Sequence, residues 1–104
     1  MYDRNQWIEQ LKSRELLIFG AGNIAEEVAY CLQKKPYELK IRGFMVSKKE
    51  ENRKEIFGRP VIDIAEGRRE YPDACILLAV MEKYQDEILD TLAENGFHSV
   101  IPLT

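Results

Sequence analysis

Leu16-Leu17-Ile18-Phe19-Gly20-Ala21-Gly22-Asn23-Ile24-Ala25 decides the fold. Four apolar residues read as a buried strand, and the strand runs straight into a glycine turn that opens a helix. The layout is G-x-G-x-x-G/A, the phosphate-binding turn of a Rossmann-type unit. Gly20 suits the tight turn out of the strand. Gly22 lets the backbone approach a phosphate with no Cβ in the way, and Ala25 is small enough for the helix to lie close on the sheet. The helix start then offers unpaired N–H groups and a positive dipole end to an anion. The turn names a kind of ligand, not a reaction.

Downstream of the turn, Ile24, Val28, Cys31 and Leu32 recur at helical spacing, which predicts an amphipathic helix over Asn23–Lys34 closed by Pro36. Glu38–Val46 reads as the second strand and Ser47–Arg59 as a charged loop. Pro60-Val61-Ile62 reads as a short third strand nearer an edge, because proline cannot donate to a ladder. Asp63 is placed to cap a short helix to about Tyr71. Ala74–Val80 is continuously apolar, the pattern of a parallel strand covered on both faces. Glu82–Asn95 predicts a helix with Tyr84, Ile88 and Leu92 in register, stopped by Gly96, and Ser99-Val100-Ile101 a last strand. Before the first strand, Asn5–Lys12 suits a short leading helix with Trp7, Ile8 and Leu11 on one side. The alternation predicts a small α/β, Rossmann-like, three-layer domain with a parallel sheet of about five strands in the order 3-2-1-4-5. Its ligand crevice lies at the switch point between strands 1 and 4, walled by the loops after Phe19, Val46 and Val80.

The chain has 104 residues, enough for one core, and residues 1–104 read as a single domain. With 45% apolar and 32% charged residues it has the composition of a globular protein. No run approaches the ~20 apolar residues of a membrane helix, and the polar opening Met1-Tyr2-Asp3-Arg4-Asn5-Gln6 does not suit a secretory signal. Cys31 and Cys75 both fall in apolar-periodic segments, so buried free thiols and a cytoplasmic location are expected. A net charge of −3 argues against nucleic acid as the main partner. The charge is unevenly placed, with eight basic against three acidic residues from Lys34 to Lys54 and nine acidic against three basic from Asp63 to Glu94. Two solvated faces account for this pattern. An anion-attracting rim beside the second strand is the functional alternative.

The end of the second strand separates cofactors. An NAD site places an acid there for the ribose hydroxyls, whereas here Ser47 is followed by Lys48 and Lys49. That pattern suits the 2′-phosphate of NADP better than NAD, and it also counts against S-adenosylmethionine. A site that never held a dinucleotide remains the plain alternative.

Leu17-Ile18-Phe19-Gly20-Ala21-Gly22, Gly43-Phe44-Met45-Val46, Gly58-Arg59-Pro60-Val61-Ile62, Ile76-Leu77-Leu78-Ala79-Val80 and Gly96-Phe97-His98-Ser99-Val100-Ile101-Pro102 follow one pattern. Together they resemble the small Rossmann-like N-terminal domain of bacterial sugar O-acyltransferases of the PglD type. Similar domains are attached to glycosyltransferases and nucleotide-sugar enzymes of surface-polysaccharide assembly. The resemblance spans residues 14–102. It implies a nucleotide-sugar held with its phosphates at the turn, by Gly20, Ala21, Gly22 and Asn23, with Ser47 at the second-strand end and Val80 and Met81 after the fourth strand; Ile24 at the helix start and Lys48 beside Ser47 complete the candidate binding residues. It further implies a covalently linked catalytic domain, of which this chain would be an excised part. The family usually has Asp at the Ser47 position. The hexapeptide-repeat helix that carries acyl transfer is also missing, so that chemistry does not belong to these residues.

No complete catalytic set is legible. Tyr30 and Lys34 have the Tyr-x-x-x-Lys spacing of short-chain dehydrogenases, but they lie in the first helix, away from any nicotinamide position. His98 is the single histidine, and Cys75 has no neighbouring base. Glu82, Lys83 and Asp86 read as first-turn charges of a helix. Three readings follow. The first is a nucleotide-binding module for a nucleotide-sugar, and the second is the NAD(P)-binding half of an oxidoreductase or epimerase. The third is a ligand-free domain for docking or homo-oligomer formation.

Overall fold

Every residue of Leu16–Phe19 (β1) is buried, because this strand is the spine of the sheet and has packed layers on both faces. Leu16 and Ile18 face one apolar cluster and Leu17 and Phe19 the other, as the two-residue repeat of a strand requires. The computed structural model describes residues 9, 11, 12 and 14–103. After β1 come α1 (Asn23–Gln33), β2 (Ile41–Val46), a 3₁₀ turn (Lys49–Glu51), β3 (Glu55–Ile56), β4 (Arg59–Asp63), α2 (Ile64–Glu70), β5 (Cys75–Leu78), α3 (Glu82–Glu94) and β6 (Val100–Pro102).

The sheet order is β3-β4-β2-β1-β5-β6. Its five parallel strands, β4-β2-β1-β5-β6, follow the expected 3-2-1-4-5 arrangement, with β1 paired to β2 and β5. The sixth strand was not expected. Glu55–Ile56, read from sequence as charged loop, pairs antiparallel with β4 and becomes the outer edge. Pro60 therefore lies one strand in from the edge, opposite Glu55. Its missing N–H costs no bond of the parallel ladder, since pairing with β2 starts at Val61. The β3–β4 turn puts Phe57 at φ +52° and Gly58 at φ +74°, the two positive values of a type I′ hairpin. Glycine takes that conformation freely, whereas for a phenylalanine it costs on the order of 1–2 kcal/mol.

α1 covers one face of the sheet, and α2 and α3 cover the other. α1 differs from its sequence reading. Its buried residues are Ala25, Ala29 and Leu32, while Ile24 and Cys31 are exposed and Val28 is half-buried. The small alanines let the helix approach β1 closely, and the larger Ile24 and Cys31 are left outside. In α3, Leu92 and Gln85 are buried and Ile88 is half-buried, while Tyr84 points out. Asp63 caps α2 as predicted: its carboxylate accepts from the Glu66 N–H at 2.8 Å, and Glu66 reaches back to the Asp63 N–H. Glu9, Leu11 and Lys12 are helical and Leu11 is buried. The other residues of the expected leading helix, 5–8 and 10, lie outside the described residues. No helix among the described residues is long and apolar enough to cross a membrane.

Candidate functional site

The strand order reverses between β1 and β5, and a crevice of about 270 Å³ opens there at the carboxyl ends of the strands. Gly20, Ala21, Gly22, Asn23 and Ile24 form one wall, and Ala79, Val80, Met81 and Tyr84 form the other. Seven of the nine residues singled out from the sequence therefore meet. Ser47 and Lys48 do not line this crevice; both lie exposed beyond β2.

The two glycines of the turn have different reasons to be glycine. Gly20 sits at φ +128°, and a Cβ added there would stand 2.7 Å from the Ala79 carbonyl oxygen. The Gly20 N–H bonds the Met45 carbonyl at 2.8 Å, and the Ala79 N–H bonds the Phe19 carbonyl at 2.9 Å. Close passage of β1 and β5 thus demands Gly20 whatever the crevice does. Gly22 has no such constraint. Its φ of −96° suits any residue, and a Cβ there would meet nothing within 4 Å. The missing side chain leaves open space at the mouth of α1.

Both helices that begin at this crevice lack a side-chain cap. Gly22 precedes α1 and Met81 precedes α3, and neither provides an acceptor for the first-turn N–H groups. α2, which starts beyond the β4 end of the sheet, has the full reciprocal box described above. An anion in the crevice would meet the donors that a capping side chain otherwise occupies. The floor on the β5 side is positioned by Gln85, a buried residue that the sequence reading passed over. Its amide donates to the Leu103 carbonyl at 2.6 Å and the Val80 carbonyl at 3.3 Å, tying the loop after β5 to the chain beyond β6. Gln85 stands three and seven residues before Ile88 and Leu92, on the helix face they share, but its polar side chain masks that position in the sequence.

The basic rim expected beside β2 is partly neutralised. Lys49 pairs with Glu66 at the start of α2, which raises its pKa above the usual lysine value, chiefly through that hydrogen bond. Arg53 pairs with Glu26 in the first turn of α1 at 2.9 Å and also donates to the Ala21 carbonyl at 3.3 Å. The loop after β2 therefore reaches the glycine turn through Arg53 rather than through Ser47 or Lys48. Lys34 lies 3.7 Å over the Tyr30 ring, so the Tyr-x-x-x-Lys pair is a cation–π contact on the outside of α1.

Of the remaining candidates, His98 is exposed. Cys75 is a buried free thiol whose pKa is pushed up by burial, with Arg14 opposing the shift more weakly, which disfavours a nucleophilic thiolate. Cys31 is free as expected but exposed rather than buried. Among the described residues no group of three or more His, Cys, Asp or Glu is placed to hold a metal ion. No family model matches the chain, and no curated protein matches it in sequence.

Proposed function

We propose that this chain is a nucleotide-binding module that holds the phosphates of a nucleotide-sugar at the Gly20–Asn23 turn and supplies no catalytic group of its own. The observation that carries the reading is the contrast between the two glycines. Gly20 is required by the protein's own packing, whereas Gly22 leaves free space beside an uncapped helix start at the switch point. A ligand phosphate is what that arrangement fits. The resemblance to PglD-type domains supports the sugar moiety and a partner domain of bacterial polysaccharide or glycoconjugate assembly. The crevice of about 270 Å³ is at the small end for a complete ligand, which suits a site holding the phosphate-bearing part of a larger molecule. An NADP reading rests on Ser47 and Lys48, which lie outside the crevice, whereas the nucleotide-sugar reading needs neither.

The test is a thermal-shift screen of the wild-type chain and Gly22→Ser with NAD, NADP and UDP-, GDP-, CMP- and TDP-sugars. A ligand at about a hundred times its Kd stabilises by ~2.7 kcal/mol, a rise of several degrees for a domain of this size. The expected result is a rise with a sugar nucleotide that Gly22→Ser abolishes. A rise with NADP alone assigns the turn to a pyridine nucleotide instead. No rise with any of them refutes the reading and leaves the turn architectural.

A further inference from the structure

We propose that the cavity between α1 and the β3–β4 turn is a nucleobase subsite, in which a base carrying an exocyclic amino group stacks on Phe57; this rests on the nucleotide reading above. Five large apolar side chains are exposed among the described residues: Ile24, Tyr30, Phe57, Met81 and Tyr84. Ile24, Met81 and Tyr84 line the glycine-turn crevice. Tyr30 and Phe57 line a second cavity of about 400 Å³, and Asn23 belongs to both. The exposed apolar surface is thus gathered into two adjoining hollows, where scattered single residues would be the ordinary pattern.

Phe57 is the unexpected member. It is 49% exposed and it occupies a positive-φ turn position that glycine or asparagine would fill without strain. Its contact with Tyr30 leaves half of the residue in water, and strained residues of this kind collect at ligand sites. Among the described residues its ring partner is Tyr30, with centroids 6.4 Å apart and planes tilted by 36°; Lys34 covers one face of the Tyr30 ring, and Phe57 stays 49% exposed beside the cavity. Bases stack on such surfaces whatever their sequence identity.

The polar lining orients the ligand. Glu27 borders the cavity as an acceptor for an amino group, while Glu26 beside it is paired with Arg53. Arg53 engages Glu26 and the Ala21 carbonyl, which directs that cation toward the glycine turn, while Lys34 sits on the Tyr30 ring. Asn23 and Tyr30 are seven residues apart on one helix, about 10 Å along its axis, a separation a nucleoside diphosphate can bridge. Phosphate at Gly22 and base at Phe57 are then two ends of one ligand.

Calorimetric titration of the full chain separates this inference from the reading beneath it. The probes are pyrophosphate, ADP and UDP, and the variants are Phe57→Gly, Tyr30→Ala and Gly22→Ser. Phe57→Gly keeps the turn, since glycine accepts positive φ. It is expected to weaken ADP about ten-fold or more while leaving pyrophosphate unchanged, with Tyr30→Ala weakening ADP in the same direction. ADP is expected to bind more tightly than UDP. Wild-type ADP affinity in Phe57→Gly overturns the subsite, and UDP binding as tightly as ADP overturns the choice of base. If ADP binds and is weakened by Phe57→Gly while pyrophosphate does not bind and Gly22→Ser has no effect, the glycine-turn reading fails and the base subsite stands. A pure hairpin-pinning role for the ring pair predicts lower stability of Phe57→Gly with unchanged binding, which also refutes the proposal.

Discussion

A missing side chain can be a structural necessity or an allowance for something else, and Gly20 and Gly22 separate the two within three residues. Gly20→Ala forces a Cβ to 2.7 Å from the Ala79 carbonyl at φ +128°, and we expect it to cost at least about 2 kcal/mol. Gly22→Ser fills open space at a helix N-cap, where serine is favoured over glycine by a few tenths of a kcal/mol. Its folded state should be as stable as wild type or slightly more so, and only ligand binding should suffer. Urea midpoints of the two variants check this contrast. Cys75 offers a second test. Burial raises its pKa above the ordinary 9.0, so the unfolded chain ionises first as pH rises. Stability related to this thiol is therefore intact below about pH 9 and is lost as pH climbs through the folded value. Unfolding measured on either side of that pH should show the decline in wild type and a smaller one in Cys75→Ala.

The elements show which sequence signals are reliable here and which are not. β1 and β5 were legible because uninterrupted apolar runs between turn residues have few other uses in a parallel sheet. α2 was legible through Asp63 and Glu66, whose spacing is the cap itself. α1 was found, and its buried face was read in part: Leu32 and Ala25 are buried as expected and Val28 packs against the core. Of the stripe Ile24, Val28, Cys31 and Leu32, Ile24 and Cys31 are exposed, and the sheet takes up Ala29 as well, where close approach matters more than side-chain area. Ile24→Ser should accordingly change stability by under about 0.5 kcal/mol, whereas Ala29→Leu should overpack the helix–sheet contact and cost about 1–3 kcal/mol; thermal unfolding of both decides. β3 escaped notice because its turn is Phe57-Gly58, without the asparagine or aspartate that usually marks a type I′ hairpin, and its strand is two residues in a charged stretch. The same disguise hid the exposed Phe57 ring beside α1.

For the whole molecule, topology did most of the work. Once the order 3-2-1-4-5 is granted, the loops after β1 and β5 must meet at the switch point, which brings seven of the nine candidate residues together. Ser47 and Lys48 were placed by analogy with dinucleotide sites. The structure instead sends Arg53 from that loop to the glycine turn, a contact that depends on how the 47–54 segment folds back and that no residue spacing announces. Gln85 belongs to the same class, since its role depends on two carbonyls distant along the chain from one another. The account's central claim is that the crevice between β1 and β5 holds the phosphates of a nucleotide ligand. Amide chemical shifts of the ¹⁵N-labelled chain, recorded during titration with a UDP-sugar and with ADP, test it most directly. We predict saturable shifts concentrated at Gly20–Ala25 and Val80–Tyr84, absent in Gly22→Ser. An unchanged spectrum, or shifts confined to surfaces away from these two loops, would contradict it.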